Sequence, residues 1–321
     1  MTALRSAVAL VLVIGAFCCP PRAGAQPWCG TRTHHPRVYD HVVWIWMENH
    51  SYSQIIGASA APFINSVAAG CGVATNYHNL THVSLPNYIG AVTGLPLSDP
   101  SHNDLQPFLT DCLGGPTGAC LTGATSLFSQ VASWKAYMES MTTNCQSTGF
   151  VGYATRHNPP PFLTSLAATC STFDVPYTAL QADLDNSTLP AFSFISPNTI
   201  NDMHDGSDPT AIQNGDTWLS TELPKILDSS TYQAGKTVVF VTFDEGENPV
   251  IGKDCAANTT DDDCHVPTLV ISPYTRPGTQ STRLFSHYSL LRTTERLLGV
   301  PNRDVLGRAR QARNMRHQFR L

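Results

Sequence analysis

Three near-continuously apolar segments end abruptly in polar clusters, and this restricts the fold more than any other feature of the chain. His41–Met47 (HVVWIWM) runs into Glu48-Asn49-His50-Ser51. Ala191–Pro197 (AFSFISP) is followed by Asn201-Asp202-Met203-His204-Asp205, and Lys236–Phe243 (KTVVFVTF) runs into Asp244-Glu245-Gly246-Glu247. Strands that are apolar throughout belong to sheets covered on both faces. In an open sheet of that kind the ligand sits outside the carboxyl ends of the strands. Three clusters of carboxylate, amide and imidazole can therefore meet in one place. Those donor types point to a metal-centred hydrolytic site.

The rest of the chain alternates in a compatible way. Strands are expected at 41–47, 72–77, 148–153, 191–196, 236–243 and 266–271. Helices are expected near 60–70, 86–94, 124–139, 213–229 and 288–298, with shorter helical pieces at 161–168 and 176–184. The stretch 97–121 is rich in Gly, Pro and Asp and reads as loop. This order predicts an α/β fold, a three-layer α/β/α sandwich around a mostly parallel sheet. No linker, repeat or low-complexity boundary divides it, so residues 26–321 are expected to form a single domain.

Residues 1–25 read as a signal peptide. Arg5 supplies the positive start, Ala7–Phe17 an apolar run too short to span a bilayer, and Ala23-Gly24-Ala25 a cleavage site. The mature chain then starts at Gln26 and is secreted. Eight of the ten cysteines lie beyond residue 25, and an even number in an exported chain implies disulfides. Cys112–Cys120 and Cys255–Cys264 bracket short loops and are plausible local closures. The net charge is −5, which excludes a general nucleic-acid binder. The C-terminus is locally basic from about residue 303, with Arg308, Arg310, Arg313, Arg316 and Arg320. It reads as a solvated or frayed tail. The alternative is peripheral contact with an anionic membrane or polyanionic substrate.

Glu48, Asn49, Asp244 and Glu245 offer hard oxygen ligands suited to Mg²⁺, Ca²⁺ or Mn²⁺. Two adjacent acids after an apolar strand repel unless a cation lies between them. Ser84, in Thr81-His82-Val83-Ser84-Leu85-Pro86-Asn87-Tyr88, precedes a helix start with Pro86 in the first turn. Its hydroxyl is either a helix cap or a nucleophile favoured by the positive helix end. His287 opens the last helix, and an imidazole there can ligate metal or protonate a leaving group. His157 and His102 are lesser candidates of the same kind.

Taken together, MENHSY (47–52), THVSLPNYIGAVTG (81–94), RHNP (156–159), NDMHDGS (201–207), TFDEGE (242–247), VPTLVISPY (266–274) and SHYSLLRTTERLLGVP (286–301) resemble a known family. It is the bacterial phosphoesterase family of secreted acid phosphatases and non-zinc phospholipases C, within the alkaline-phosphatase-like superfamily. The segments occur in family order. NDMHDGS looks closest to the small secreted acid phosphatases of actinobacteria. The resemblance implies that Glu48, Asn49, Asp244 and Glu245 hold a divalent cation beside Ser84. It also implies that His204, His287, His82 and Asp205 contact phosphate or donate protons, with His157 beside the substrate. Two-metal members of the superfamily carry Asp-His after the late strand, where this chain has Asp244-Glu245. That departure favours one hard metal over a two-zinc site. The expected function is a secreted, metal-dependent phosphomonoesterase acting through phosphoserine on a small phosphoester or a phospholipid head group. The alternatives are a phospholipase C and a non-catalytic binding protein on the same fold.

Overall fold

In the segment HVVWIWM every residue from Val42 to Met47 is buried, and TVVFVTF is buried along its whole length. Strands this apolar need cover on both sides. The computed structural model supplies it; it describes residues 28–247, 250–256 and 260–321. The expected signal peptide, 1–25, lies outside the described residues.

Ten strands are present among them: β1 (His41–Met47), β2 (Gly72–Ala74), β3 (Tyr77–His78), β4 (Trp134–Met138), β5 (Asp174–Pro176), β6 (Phe192–Ser196), β7 (Thr237–Phe243), β8 (Thr268–Ile271), β9 (Thr279–Ser281) and β10 (Phe285–Ser286). Eight of them form one sheet in the order β5-β4-β6-β1-β7-β8-β2-β9. Only β8 runs against its neighbours, so the sheet is mostly parallel. The short strands β3 and β10 pair separately.

Alternation along β1 sets the layers, because successive side chains point to opposite faces. Trp44 and Trp46 face one side. Trp44 Nε1 donates to Thr294 Oγ1 (2.9 Å) on the helix His287–Leu297, and Trp46 packs on Tyr88 of the helix Ser84–Thr93. Met47 faces the other side, towards the helix Thr210–Leu227. Gly215 lies at that contact: a Cβ there would collide with Met203 and Met47. Close approach therefore requires glycine in mid-helix, despite its cost of about 1 kcal/mol. The result is the expected α/β/α sandwich.

Two sequence expectations are corrected. The stretch 124–139 is not one helix: it is a short turn of helix, Leu127–Gln130, followed by strand β4. Trp134 and Ala136 pair with Phe192 and Phe194 of β6, and that apolar pairing outweighs local helix preference. The segment 148–153 is not a strand but a tight turn, with Phe150 and Tyr153 bonded to each other. Gly152 has φ +78° there, a left-handed value that glycine adopts freely.

The basic C-terminal segment is also not frayed. Val305, Ala309, Met315, Phe319 and Leu321 are all buried, and the Thr275 hydroxyl donates to the Phe319 carbonyl (2.8 Å). Apolar residues between the arginines dock it onto the core. Four disulfides join Cys29–Cys71, Cys112–Cys120, Cys145–Cys170 and Cys255–Cys264. The second and fourth are the two expected local closures.

Candidate active site

Strand register assembles the site. Met47 pairs with Phe243, so Glu48 and Asp244 leave neighbouring strands side by side. The Asp244 amide donates to the Met47 carbonyl (3.0 Å), and the Glu48 amide donates to the Asp202 carbonyl (2.8 Å). The second bond ties the loop after β6 to the same sheet edge. Asn49 turns the chain at φ +52°, a left-handed conformation that asparagine tolerates better than most residues. Its amide donates to Asp244 Oδ1 (3.1 Å).

Ser84 is the first residue of its helix, whose N-cap is Val83. Other side chains brace the helix start. Asn87 Oδ1 accepts from the amides of Leu80 (2.8 Å) and Thr81 (3.2 Å). Its Nδ2 donates to the carbonyls of Thr81 (2.8 Å) and Val83 (2.9 Å). Asp111 Oδ1 accepts from the Leu85 amide (2.9 Å). The Ser84 hydroxyl therefore takes no capping role. It donates to Glu48 Oε2 at 3.1 Å and lies 3.4 Å from Glu245 Oε1. Tyr88, one turn further, donates a short hydrogen bond to Glu48 Oε1.

Glu48, Asp202, Asp244 and Glu245 are all buried. Burial, then repulsion from Asp244 and Asp202, holds Glu48 well above the usual carboxylate range. Burial, then Asp244 and Asp111, does the same to Glu245. Burial is also the main cause of the rise at Asp202 and Asp244. Asn49 Oδ1, Asp244 Oδ2 and Glu245 Oε2 are buried with no hydrogen-bond donor. Desolvated oxygens of this kind carry a cost that a cation removes. All are hard donors, so the set fits a divalent cation. Glu48, His157 and Asp202 also bring donor atoms within 4.8 Å of one another. His82 lies similarly near Cys255 and Cys264, but those sulfurs are joined in a disulfide and cannot ligate.

The histidines divide into layers. His157 Nδ1 is 3.1 Å from Asp202 Oδ2, and its Nε2 is 3.4 Å from Glu48 Oε1. Burial, then Arg156 and His204, holds its pKa well below the ordinary value. His82 Nδ1 is 2.8 Å from Glu245 Oε2, without the alignment of a hydrogen bond. Its pKa is lowered to about 4, chiefly by burial. His287 stands behind the cluster. Its Nε2 lies 2.8 Å from the Asp244 carbonyl and its Nδ1 3.0 Å from the Tyr77 hydroxyl. The carbonyl can only accept, so Nε2 carries the proton and Nδ1 accepts from Tyr77. Burial lowers this pKa to about 4. Both nitrogens are occupied, so His287 anchors the turn after β7 and does not face the cleft. His204 and Asp205 lie further out. Arg156 Nη2 donates to His204 Nε2 (2.8 Å), and His204 Nδ1 lies 2.8 Å from Asp205 Oδ1. Arginine only donates, so this contact fixes the proton on Nδ1. His102 is on an exposed turn.

Sequence reasoning therefore brings together Glu48, Asn49, Ser84, His82, His157, Asp244 and Glu245. Four neighbours were not singled out. Asp202 was hidden among equivalent ligand types in one five-residue cluster. Tyr88 sits four residues after Ser84, a spacing that puts both on one helix face. Arg156 adjoins His157 in the RHNP segment. Asp111 lies in the irregular 97–121 loop, where no periodic signal exists. Asp111, Arg156 and Asp205 line a cavity of about 430 Å³ with Leu113, Phe150 and Tyr153. That volume suits a small polar head group.

Comparison with known proteins identifies the family. The profile of the Phosphoesterase family matches residues 58–301. A phosphatidylinositol-3-phosphatase of Mycobacterium tuberculosis is 29% identical over 303 residues, spanning 94% of this chain and 91% of the relative. An acid phosphatase of Aspergillus fumigatus is 25% identical over 87% of this chain, which spans 59% of that longer protein. A protein of the alkaline phosphatase superfamily from Vibrio parahaemolyticus superposes with TM-score 0.54 at 13% identity, covering 85% of this chain and 68% of the other. At that identity the likeness concerns the fold alone. The chain belongs to the Phosphoesterase family and is a phosphoric ester hydrolase on an alkaline-phosphatase-like fold.

Proposed function

We propose that the protein is an exported phosphomonoesterase that works through a phosphoseryl intermediate on Ser84. The observation that carries this reading is the Ser84 hydroxyl. It donates into buried carboxylates at 3.1 and 3.4 Å instead of capping its helix. In the first half-reaction Ser84 Oγ attacks phosphorus, its proton passes to Glu48 or Glu245, and the bond to the leaving oxygen breaks. The leaving alkoxide takes a proton from solvent water at the cavity mouth, beside Arg156. In the second half-reaction water attacks the phosphoserine and gives one proton to the hydroxide left by the first protonation, the P–Oγ bond breaks, and Ser84 Oγ takes its proton back from the carboxyl group that received it. Arg156 offers a planar fork for phosphate oxygens.

Glu48, Asn49, Asp244 and Glu245 would hold one divalent cation, Mg²⁺, Ca²⁺ or Mn²⁺, in preference to a two-zinc pair. Such a cation supplies charge neutralisation at phosphate and a lowered hydroxyl pKa. The mycobacterial relative is named for a phosphatase acting at the 3-phosphate of phosphatidylinositol. That group is a monoester, which favours the monoesterase over a phospholipase C. Four disulfides support an extracellular location. The test compares p-nitrophenyl phosphate with its phosphocholine diester, before and after chelation. Turnover of the monoester that chelation abolishes is expected. Preference for the diester, or full activity without metal, contradicts the reading.

A further inference from the structure

Four large apolar side chains are exposed around the mouth of the Arg156 cavity. Leu113 is 80% exposed, Phe150 59%, Val151 85% and Ile200 51%. Leu113 and Phe150 line the cavity itself. They come from three loops that the structure holds together. The amides and carbonyls of Phe150 and Tyr153 bond reciprocally (3.0 and 2.9 Å), which closes a tight turn with Val151 at its apex. The Thr199 amide donates to the Gly152 carbonyl (2.9 Å), which brings Ile200 alongside. The Leu113 loop is closed by Cys112–Cys120, and Gly115 lies against the Ser147 carbonyl. On a separate loop, Val250 and Ile251 are also more than half exposed. The amide of Gly252 bonds the His82 carbonyl (3.1 Å) and sets that loop over His82. Leu113, Phe150, Val151 and Ile200 are thus four of the eight exposed large hydrophobic residues among the described residues, and their grouping beside one cavity marks an interaction surface.

The cleft changes polarity from base to rim. Asp111, Arg156 and Asp205 supply its charged lining, and the exposed tips of Leu113, Phe150, Val151 and Ile200 stand around it. A ligand complementary to that gradient has an anionic head and a hydrocarbon body. Side chains at the apex of turns also suit a fluid, yielding partner, because they protrude. Among the described residues no helix is long and apolar enough to cross a membrane, so contact through these loops would be interfacial.

We propose that Leu113, Phe150, Val151 and Ile200 form a collar that inserts into the surface of a phospholipid bilayer and seats the cleft over a phosphorylated head group. The purpose assigned to the collar rests on the monoesterase reading. Its binding does not. Insertion requires no charged lipid, so the protein should sediment with vesicles of phosphatidylcholine alone. The variant carrying Val151→Ser and Ile200→Ser should lose roughly tenfold or more in vesicle partitioning, since each side chain removes apolar area from the contact. Hydrolysis of a monophosphorylated phosphoinositide in those vesicles should fall by a similar factor. Turnover of p-nitrophenyl phosphate in solution should stay within about twofold of the parent, because neither residue lines the cavity.

A second variant, Val151→Trp, should show fluorescence quenched by brominated phosphatidylcholine, and it covers the case in which the double variant fails to fold. Absence of that quenching overturns the collar. So does a double variant that hydrolyses vesicle lipid at the parental rate. A dimer that forms without lipid and is lost in the double variant makes the rim a contact between copies and overturns it as well. Vesicle binding without any monoester turnover keeps the collar and removes the monoesterase reading; monoester turnover without vesicle binding does the reverse.

Discussion

Two groups of buried acids in this molecule are built on opposite plans. Asp183, beside β4, is saturated with donors. Lys135 Nζ reaches its two oxygens at 2.8 and 2.6 Å, Tyr137 donates at 2.8 Å and Thr188 at 2.9 Å. Burial alone would raise its pKa, but these bonds outweigh it and lower the value. At the ends of β1, β6 and β7, Glu48, Asp202, Asp244 and Glu245 crowd one another, and buried oxygens there lack donors. The fold gives Asp183 a partner at each oxygen. The acids around Ser84 are left open, which costs stability and makes sense where a cation and a phosphate are to bind.

The largest break in this comparison should come from Glu48→Gln. On the proposed mechanism it removes a metal ligand and an acceptor of the Ser84 proton, so activity should fall by orders of magnitude. It also removes one of four repelling charges. In chelator the variant should melt at or above the parental temperature. A lower melting point, measured by calorimetry without metal, would contradict the description of the cluster as strained by like charge.

Asp183→Asn should behave in the opposite sense. It leaves Lys135 part-buried without its counter-charge, at a cost of roughly 3 kcal/mol. The melting temperature should drop by several degrees, with p-nitrophenyl phosphate turnover unchanged at assay temperature. Lost activity in a folded Asp183→Asn protein would erase the distinction between the two groups.

The smallest effect concerns pH. Asp174 is buried, and burial raises its pKa to about 8 despite a hydrogen bond from Asn158. The folded value exceeds the unfolded one of 3.8. Its contribution is therefore complete below the unfolded value and is lost as pH rises through the folded one. Melting temperature should decline across that window, and Asp174→Asn should flatten the decline. Asp183 acts with the other sign, since its lowered pKa gives stability that fades in acid. A steeper decline in Asp174→Asn would be the wrong result.

Much of the site could be read before its geometry was known, and the reasons are local. β1 and β7 are long apolar runs that stop at an acid, so Glu48, Asp244 and Glu245 stand out. Their meeting depends on strand order, which alternation of strands and helices already restricted to a parallel sheet. Ser84 was legible as a hydroxyl at a helix start, but its direction was not. Whether it caps the helix depends on Asn87 and Asp111, which occupy the positions a cap would serve. Asp111 comes from a loop with no periodic pattern, and only the folded chain brings it to Leu85. The 124–139 segment misleads because pairing of Trp134 and Ala136 with β6 prevails over local preference. The basic C-terminal segment misleads because its arginines mask the buried Val305, Met315 and Phe319 between them.

The central claim is that Ser84 Oγ attacks phosphorus. It is tested most directly by acid-quenching the parent enzyme during turnover and measuring the mass of the Ser84 peptide. The account predicts a gain of one phosphoryl group on that peptide. It also predicts none in Ser84→Ala, a variant that melts within a few degrees of the parent and is almost inactive. An unmodified Ser84 peptide in parent enzyme under active turnover, or a Ser84→Ala protein that keeps a substantial part of the parental rate, would contradict it. The Thr81 hydroxyl, now 3.3 Å from the His82 carbonyl, would then be the next group to examine.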